Sequence, residues 1–336
     1  MGRYRKVYVL APAGATTGGV ELAHQLVDAL SGLKQEAYVV YADQGGIAHG
    51  TKVPSMYHKY RVQVSDVIED SQENLLVLPE IYFDYLYQLP CIRIACWWMS
   101  VDNHYYSACL RDMLRFPWGL KELEDILYRY LVKRVRFRNS LADLRRQSDR
   151  IVHFYQSTYA REHLKDVRLE PTYPLSDYIH PDLFTCECSE KENLILYNPK
   201  KGKKYTERLM VMLPNYAFIP LQGLSRSELN GVFDRAKLYV DFGPFPGKDR
   251  IPREAVLHGC CLITGRFGAA AFQEDLPIPD TYKIDLRVRD AWKRVISLVN
   301  AIFEDYPTRR KDFDRMRERI GDERETFLQE VKAFFL

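Results

Sequence analysis

Short apolar runs alternate along most of the chain with loops bearing Gly or Pro and with stretches whose apolar residues recur every three or four positions. The runs read as strands buried on both faces, and the periodic stretches as amphipathic helices covering them. Lys6 to Ala11 (KVYVLA) is predicted as the first strand. The loop PAGATTGG follows it, then a helix with Val20, Ala23, Leu26, Val27, Leu30 and Leu33 on one stripe. Ala37 to Tyr41 (AYVVY) gives a second strand, completing a βαβ unit. Asn74 to Pro79 and Cys91 to Cys96 are further strands around an aromatic helix, IYFDYLYQL. Trp97 and Trp98 read as core, and Asp102, Asn103 and His104 follow at a strand end, where open α/β sheets place ligands.

Leu110 to Arg150 is predicted to be helical. Its basic segment sets Arg129, Lys133, Arg134, Arg136, Arg138, Arg145 and Arg146 among Tyr130, Leu131, Val132, Val135, Phe137 and Leu141. This reads either as a solvated face or as a helix lying on an anionic bilayer. The stretch EPTYPLSDYIHPDLF, rich in Pro and turn residues, is the predicted domain boundary. Beyond it the strand, loop, helix alternation resumes. We therefore expect an N-terminal Rossmann-like domain over 1–170 with a basic helical insertion at about 110–150, a second such domain over 171–308, and a terminal helix over 309–336. The helix carries Phe313, Met316, Ile320, Phe327, Val331 and Phe334 on one face, a stripe that predicts packing back on the N-terminal domain.

Length changes the picture little: 336 residues exceed what one core usually holds. A net charge of +3 argues against bulk nucleic-acid binding. The seven cysteines include the close pairs Cys186/Cys188 and Cys260/Cys261, neither with zinc-knuckle spacing. They read as reduced thiols of a cytoplasmic protein. No apolar run reaches the length of a membrane span. Asp312 and Asp314 (DFD) look like a metal-holding pair, but residues two apart on a helix point away from each other, so no metal site is assigned.

The densest functional punctuation lies in Asp241 to Ala270, DFGPFPGKDRIPREAVLHGCCLITGRFGAA, read as strand, loop, helix, strand. Its loop offers Lys248, Arg250 and Arg253 as cations and Glu254 as an acceptor near a helix start, a setting that favours phosphate. Lys200 and Lys201 follow the strand LILY, well placed as phosphate counter-charges. Gly18 and Gly19 open the first long helix, in a loop that is neither a P-loop nor a GxGxxG fingerprint.

Over nearly its whole length this order resembles the GT-B glycosyltransferases, and most of all their family-4-type retaining members. AGATTGGVELAHQL resembles their N-terminal loop and helix, YPLSDYIHPDLF the interdomain linker, and YNPKKG the first C-terminal strand with its phosphate-binding lysine. FIPLQGLSRSELNGVFDRAKLYVDF resembles the segment that holds the base, and IPREAVLHGCCLITGRFGAA the donor-loop helix. The resemblance implies two Rossmann-like domains facing each other across a cleft, with the acceptor on the first and the nucleotide sugar on the second. It implies Lys201 and Arg250 as catalytic cations, and Gly18, Gly19, Lys200, Gly223, Leu224, Lys248, Arg253 and Glu254 as donor-binding. Glu254 falls on the second of the family's paired glutamates. Pro246 stands where the first would be, and Val101 stands before Asp102 where the family has a histidine.

The implied activity is transfer of a sugar from a nucleotide-diphosphate donor to a hydroxyl of a glycan or lipid-linked acceptor in surface polysaccharide synthesis, with retention and without metal or other cofactor. Asp102 is the candidate base for inversion. The implied location is the cytoplasm, at the inner face of the membrane through residues 129–146. The alternatives are a nucleotide-sugar epimerase of the same plan and an inactive nucleotide-sugar-binding subunit.

Overall fold

The computed structural model describes residues 3–43, 46–117, 119–135, 138–184 and 190–336. The chain forms two compact units, Met1–Asp177 with Thr326–Leu336, and Tyr178–Glu325. Each is built on its own sheet.

The strands of the first unit are β1 (Val7–Pro12), β2 (Ala37–Asp43), β3 (Gly46–Ile47), β4 (Gln63–Val64), β5 (Leu75–Pro79), β6 (Arg93–Trp98), β7 (Ile151–Tyr155) and β8 (Thr172–Pro174). They lie in the order β3-β2-β1-β5-β6-β7-β8, with β4 also on β2. Every pairing is parallel except β2 with β3. Val9 of β1 sits opposite Val39 on one side and Val77 on the other, and all three are fully buried. That two-faced burial is why these segments read as unbroken apolar runs. Helices α1 (Gly18–Gly32), α2 (Val101–Tyr106), α3 (Leu110–Met113), α4 (Leu120–Leu131), α5 (Leu141–Arg146) and α6 (Thr158–Asp166) complete the unit, together with the end of the last helix. The chain leaves β1 in one direction to reach β2 and in the other to reach β5, so the strand order reverses between β1 and β5.

The second unit has β9 (Glu192–Tyr197), β10 (Ala217–Pro220), β11 (Ala236–Asp241), β12 (Cys261–Gly265) and β13 (Lys283–Ile284), all parallel, in the order β10-β9-β11-β12-β13. Its helices are α7 (Lys203–Met212), α8 (Arg226–Arg235), α9 (Arg250–Leu257), α10 (Ala291–Glu304), α11 (Tyr306–Arg309) and α12 (Asp314–Phe335). Here the reversal falls between β9 and β11. The apolar stripe of the terminal segment is used twice: Phe313, just before α12, packs on Tyr282 at 4.8 Å in the second unit, and Phe334 packs on Phe154 at 4.7 Å and Tyr173 at 4.9 Å in the first.

Two expectations are corrected. The basic segment is not one helix: α4 stops at Leu131, Arg134 turns left-handed (φ 52°), and helix resumes only at Leu141. Like charges one turn apart, Arg129 with Lys133 and Arg134 with Arg138, oppose a continuous helix. At the far end Ser140 caps α5 through the Asp143 amide. Arg136 and Phe137 lie outside the described residues. Next, IYFDYLYQL belongs to a 3₁₀ segment, Glu80–Tyr87, broken at Tyr82, whose hydroxyl donates to the Ala42 carbonyl at 3.0 Å. The Pro-rich boundary stretch also contains β8, three residues recruited by pairing with β7. Asp312 accepts a hydrogen bond from the Tyr282 hydroxyl at 2.5 Å, and Asp314 pairs with Arg317.

Candidate functional site

In the second unit the loops after β9 and β11 flank the reversal of strand order, the position at which an open parallel sheet leaves a crevice outside its strand ends. The two loops interlock through glycines. Gly202 is left-handed (φ 57°), and a Cβ there would lie 2.6 Å from both the Gly243 nitrogen and the Phe242 carbonyl carbon. A Cβ on Gly243 would lie 2.5 Å from the Cβ of Lys201. The backbone carrying Lys201 is thereby pressed onto the loop after β11. Its ammonium donates to the Pro244 carbonyl at 3.2 Å, pairs with the Asp249 carboxylate, and lies 5.3 Å from the centre of the Phe245 ring.

Beneath this pair is Asp241, the last residue of β11 and 3% exposed. Burial pushes its carboxyl up to about 6, opposed by the nearby Lys201 charge. It accepts hydrogen bonds from the Gly243 amide at 3.1 Å and the Tyr239 hydroxyl at 2.9 Å. Burial raises Asp249 as well, with Lys201 again pulling it back. Two carboxyls and one ammonium therefore share a small volume, with Asp241 buried and the side chains of Lys201 and Asp249 24% and 22% exposed, so that a change of charge on one acts on the others.

Arg250 opens α9, and one turn later Glu254 is buried. Glu254 is 3.4 Å from the Arg250 guanidinium and accepts from Arg226 at 2.8 Å. Arg226, in the first turn of α8, was not among the residues selected from sequence. Its signal is present in hindsight: it follows Gly223 and Leu224 at a capped helix start, where Ser225 and Glu228 form a capping box. Gly223 is left-handed (φ 71°) with open space around its α-carbon, Leu224 is half-buried, and Lys200 is exposed.

Lys248 and Arg253 also reach the last helix. Both cations converge on Glu323 of α12, Lys248 Nζ on one oxygen and Arg253 Nη1 on the other, each at 2.7 Å. Arg253 is 2% exposed and also donates to the carbonyls of Asp249 at 3.1 Å and Lys248 at 3.2 Å. They brace the loop that carries Asp249. A buried guanidinium needs a carboxylate, but one that lies 70 residues further on has no local signature.

In the first unit the loop after β1 and the end of β5 flank the other reversal point. Gly18 and Gly19 start α1, and a Cβ on Gly19 would meet the Met99 sulfur at 3.4 Å. In the first turn of α1, Glu21 is held by the Tyr60 hydroxyl at 2.7 Å and Lys59 at 3.0 Å. Glu80, directly after β5, was also missed from sequence. It is 4% exposed and accepts from the Met99 amide at 3.2 Å. Burial pushes its carboxyl up to about 7, with the Met99 and Ser100 amides opposing. Asp102 lies in α2 of this unit and accepts from the Tyr159 hydroxyl at 2.9 Å. His104 is core: fully buried, 4.6 Å from the Trp98 ring centre, and lowered by burial to about 3. Among the described residues no group of three or more His, Cys, Asp or Glu could hold a metal ion.

Neither a family model nor a curated protein sequence matches the chain. Solved structures do match, over almost the whole length. The chain is similar to a glycosyltransferase from Rickettsia africae ESF-5 (TM-score 0.58, 9% identity, 98% of this chain and 97% of that one). It is similar to Anabaena HepE in complex with UDP and glucose (TM-score 0.60, 10% identity, 98% and 99%). A third is T4 phage BGT in complex with its UDP-glucose substrate (TM-score 0.52, 9% identity, 98% and 98%). Two Rossmann-like units on parallel sheets, shared end to end with these transferases, give this chain the GT-B fold.

Proposed function

We propose that this protein is a glycosyltransferase that uses a nucleoside-diphosphate sugar. The observation that carries the reading is Lys201, fixed by the Gly202–Gly243 contact at the strand-order reversal of the second unit. The bond between the anomeric carbon and a phosphate oxygen breaks, and its electron pair stays on the leaving diphosphate. Lys201, with Lys200 and Arg250, meets that charge, so transfer needs no metal and no further cofactor. The acceptor hydroxyl of a glycan or lipid-linked acceptor bonds to the anomeric carbon. In a retaining reaction its proton passes to the leaving phosphate; in an inverting one it passes to Asp102. Gly18, Gly19, Gly223 and Leu224 supply backbone and apolar contacts to the donor, and Glu254 a ribose contact. Neighbours in complex with UDP or UDP-glucose support uridine as the first base to try.

A thermal-shift series with UDP, GDP and TDP tests this. One diphosphate at about 100 times its Kd should stabilise the protein by about 2.7 kcal/mol. Lys201→Ala should weaken that binding by roughly 10- to 100-fold, the loss of one charge-assisted bond worth about 1.5–3 kcal/mol. Undiminished affinity in the variant removes Lys201 from the site.

A nucleotide-sugar-binding subunit without transfer is the second reading, favoured by Pro246 and by the engagement of Glu254 with two guanidiniums. Release of labelled sugar to any acceptor, or to water, rules it out.

Surface polysaccharide synthesis at the inner face of the membrane remains the cellular setting we propose. No helix among the described residues is long and apolar enough to cross a membrane. The corrected geometry supports contact through exposed Leu127, Tyr128, Leu131 and Val132 at the end of α4, beside the basic residues that follow. Co-sedimentation with anionic vesicles, reversed by salt, is the expected result; equal recovery with neutral vesicles contradicts it.

A further inference from the structure

A carboxylate on the lysine of a phosphate site calls for an explanation. Asp249 occupies the residue before α9, where an aspartate ordinarily bonds to the amides of its own helix, yet it makes no such bond. Its carboxylate goes to Lys201 instead. The pairing is well supported from behind. The Asp249 carbonyl is held by Arg253 Nε at 3.1 Å, and Arg253 is in turn locked to Glu323. On the other side the Lys201 backbone is pinned by the Gly202–Gly243 contact. Only the side chains have room to change partners, and a lysine stem is flexible enough to do so. Asp241 lies close enough for the Asp249 charge to add to the burial that raises its carboxyl.

We propose that Asp249 is an internal counter-anion: it positions Lys201 by pairing with it, and the diphosphate of the donor displaces it from the ammonium. The inference rests on the reading of Lys201 as a diphosphate ligand. Two things follow from elementary electrostatics. First, donor binding is an exchange of one anion for another, so affinity is set below what Lys201 alone would give. Second, the displaced carboxylate faces both Asp241 and the incoming phosphates, which favours release of the diphosphate once the sugar has left. Asp249 thus acts through Lys201, as a positioning residue.

Calorimetric titration of inorganic pyrophosphate and of UDP, GDP and TDP onto the wild-type chain, Asp249→Asn, Lys201→Ala and the double variant tests the exchange. Asp249→Asn is expected to bind pyrophosphate about tenfold more tightly. The gain should be clearly smaller when Lys201 is already alanine, because only repulsion is then relieved and no competing pair is broken. Asp249→Glu should restore the wild-type affinity. Should Asp249→Asn melt early, Asp249→Ser provides the same comparison at the same sign. If Lys201→Ala weakens pyrophosphate binding while Asp249→Asn weakens it too, or leaves it unchanged, the counter-anion role is overturned and the diphosphate site stands. If Lys201→Ala has no effect on any of the four ligands, the diphosphate reading falls first and this inference with it.

Discussion

Glu323→Ala is expected to cost the second unit about 3–5 kcal/mol, the penalty of leaving a buried ion pair with one partner missing. Arg253 is 2% exposed and Lys248 Nζ shares the same carboxylate, so removing Glu323 takes one counter-charge from two cations at once. The Ile179 amide, 3.3 Å from Glu323 Oε2, loses its acceptor as well. Water cannot easily compensate, since the side chains of Lys248 and Arg253 are only 12% and 2% exposed. Urea unfolding should show the loss in full, while Glu318→Ala, an exposed position on the same helix, should change stability by less than about 0.5 kcal/mol. A cost below about 1 kcal/mol for Glu323→Ala means the cluster is solvated and the brace is not what holds the Asp249 loop. The consequence reaches the site, because Arg253 also holds the carbonyls of Lys248 and Asp249. Diphosphate affinity is therefore expected to change in Glu323→Ala, through the loop that carries Asp249.

What the sequence made legible follows from how local each signal is. β1, β9 and β11 were readable because a strand covered on both faces needs an unbroken apolar run, and VYVLAP, LILY and LYV supply one without help from elsewhere. β3, β4 and β13 are two residues each. They exist through pairing with a neighbour already in place, so no pattern of their own announces them. The placement of Lys201 after a buried strand was legible for the same reason as the strand. The pairing of that lysine with Asp249 was not, since the two are brought together by sheet order. Lys248 and Arg253 show the limit most clearly: charge type and loop position suggested phosphate, and the carboxylate they share on the last helix had no signature beside them. Glu80 and Arg226 were overlooked because each becomes notable only once its burial or its partner is known.

Gly202→Ala and Gly223→Ala make a matched pair that isolates the interlock of the two site loops. Both glycines are left-handed, at φ 57° and 71°, so both substitutions carry the conformational penalty of about 1–3 kcal/mol for a side chain in that region. They differ in what the new methyl meets. At Gly223 nothing lies within 4 Å, whereas at Gly202 the methyl would stand 2.6 Å from the Gly243 nitrogen and the Phe242 carbonyl carbon. Those are backbone atoms at the end of β11 and cannot rotate aside, so the loops after β9 and β11 must separate. Gly202→Ala should therefore lose an additional 1–3 kcal/mol, roughly the cost of overpacking. It should also lose diphosphate affinity, because Lys201 moves with the loop and leaves both the Pro244 carbonyl and Asp249. Gly223→Ala is expected to lose stability by the conformational penalty alone. Equal stabilities for the two variants in urea would mean that the loops accommodate a methyl freely, and the fixed placement of Lys201 would lose its physical basis.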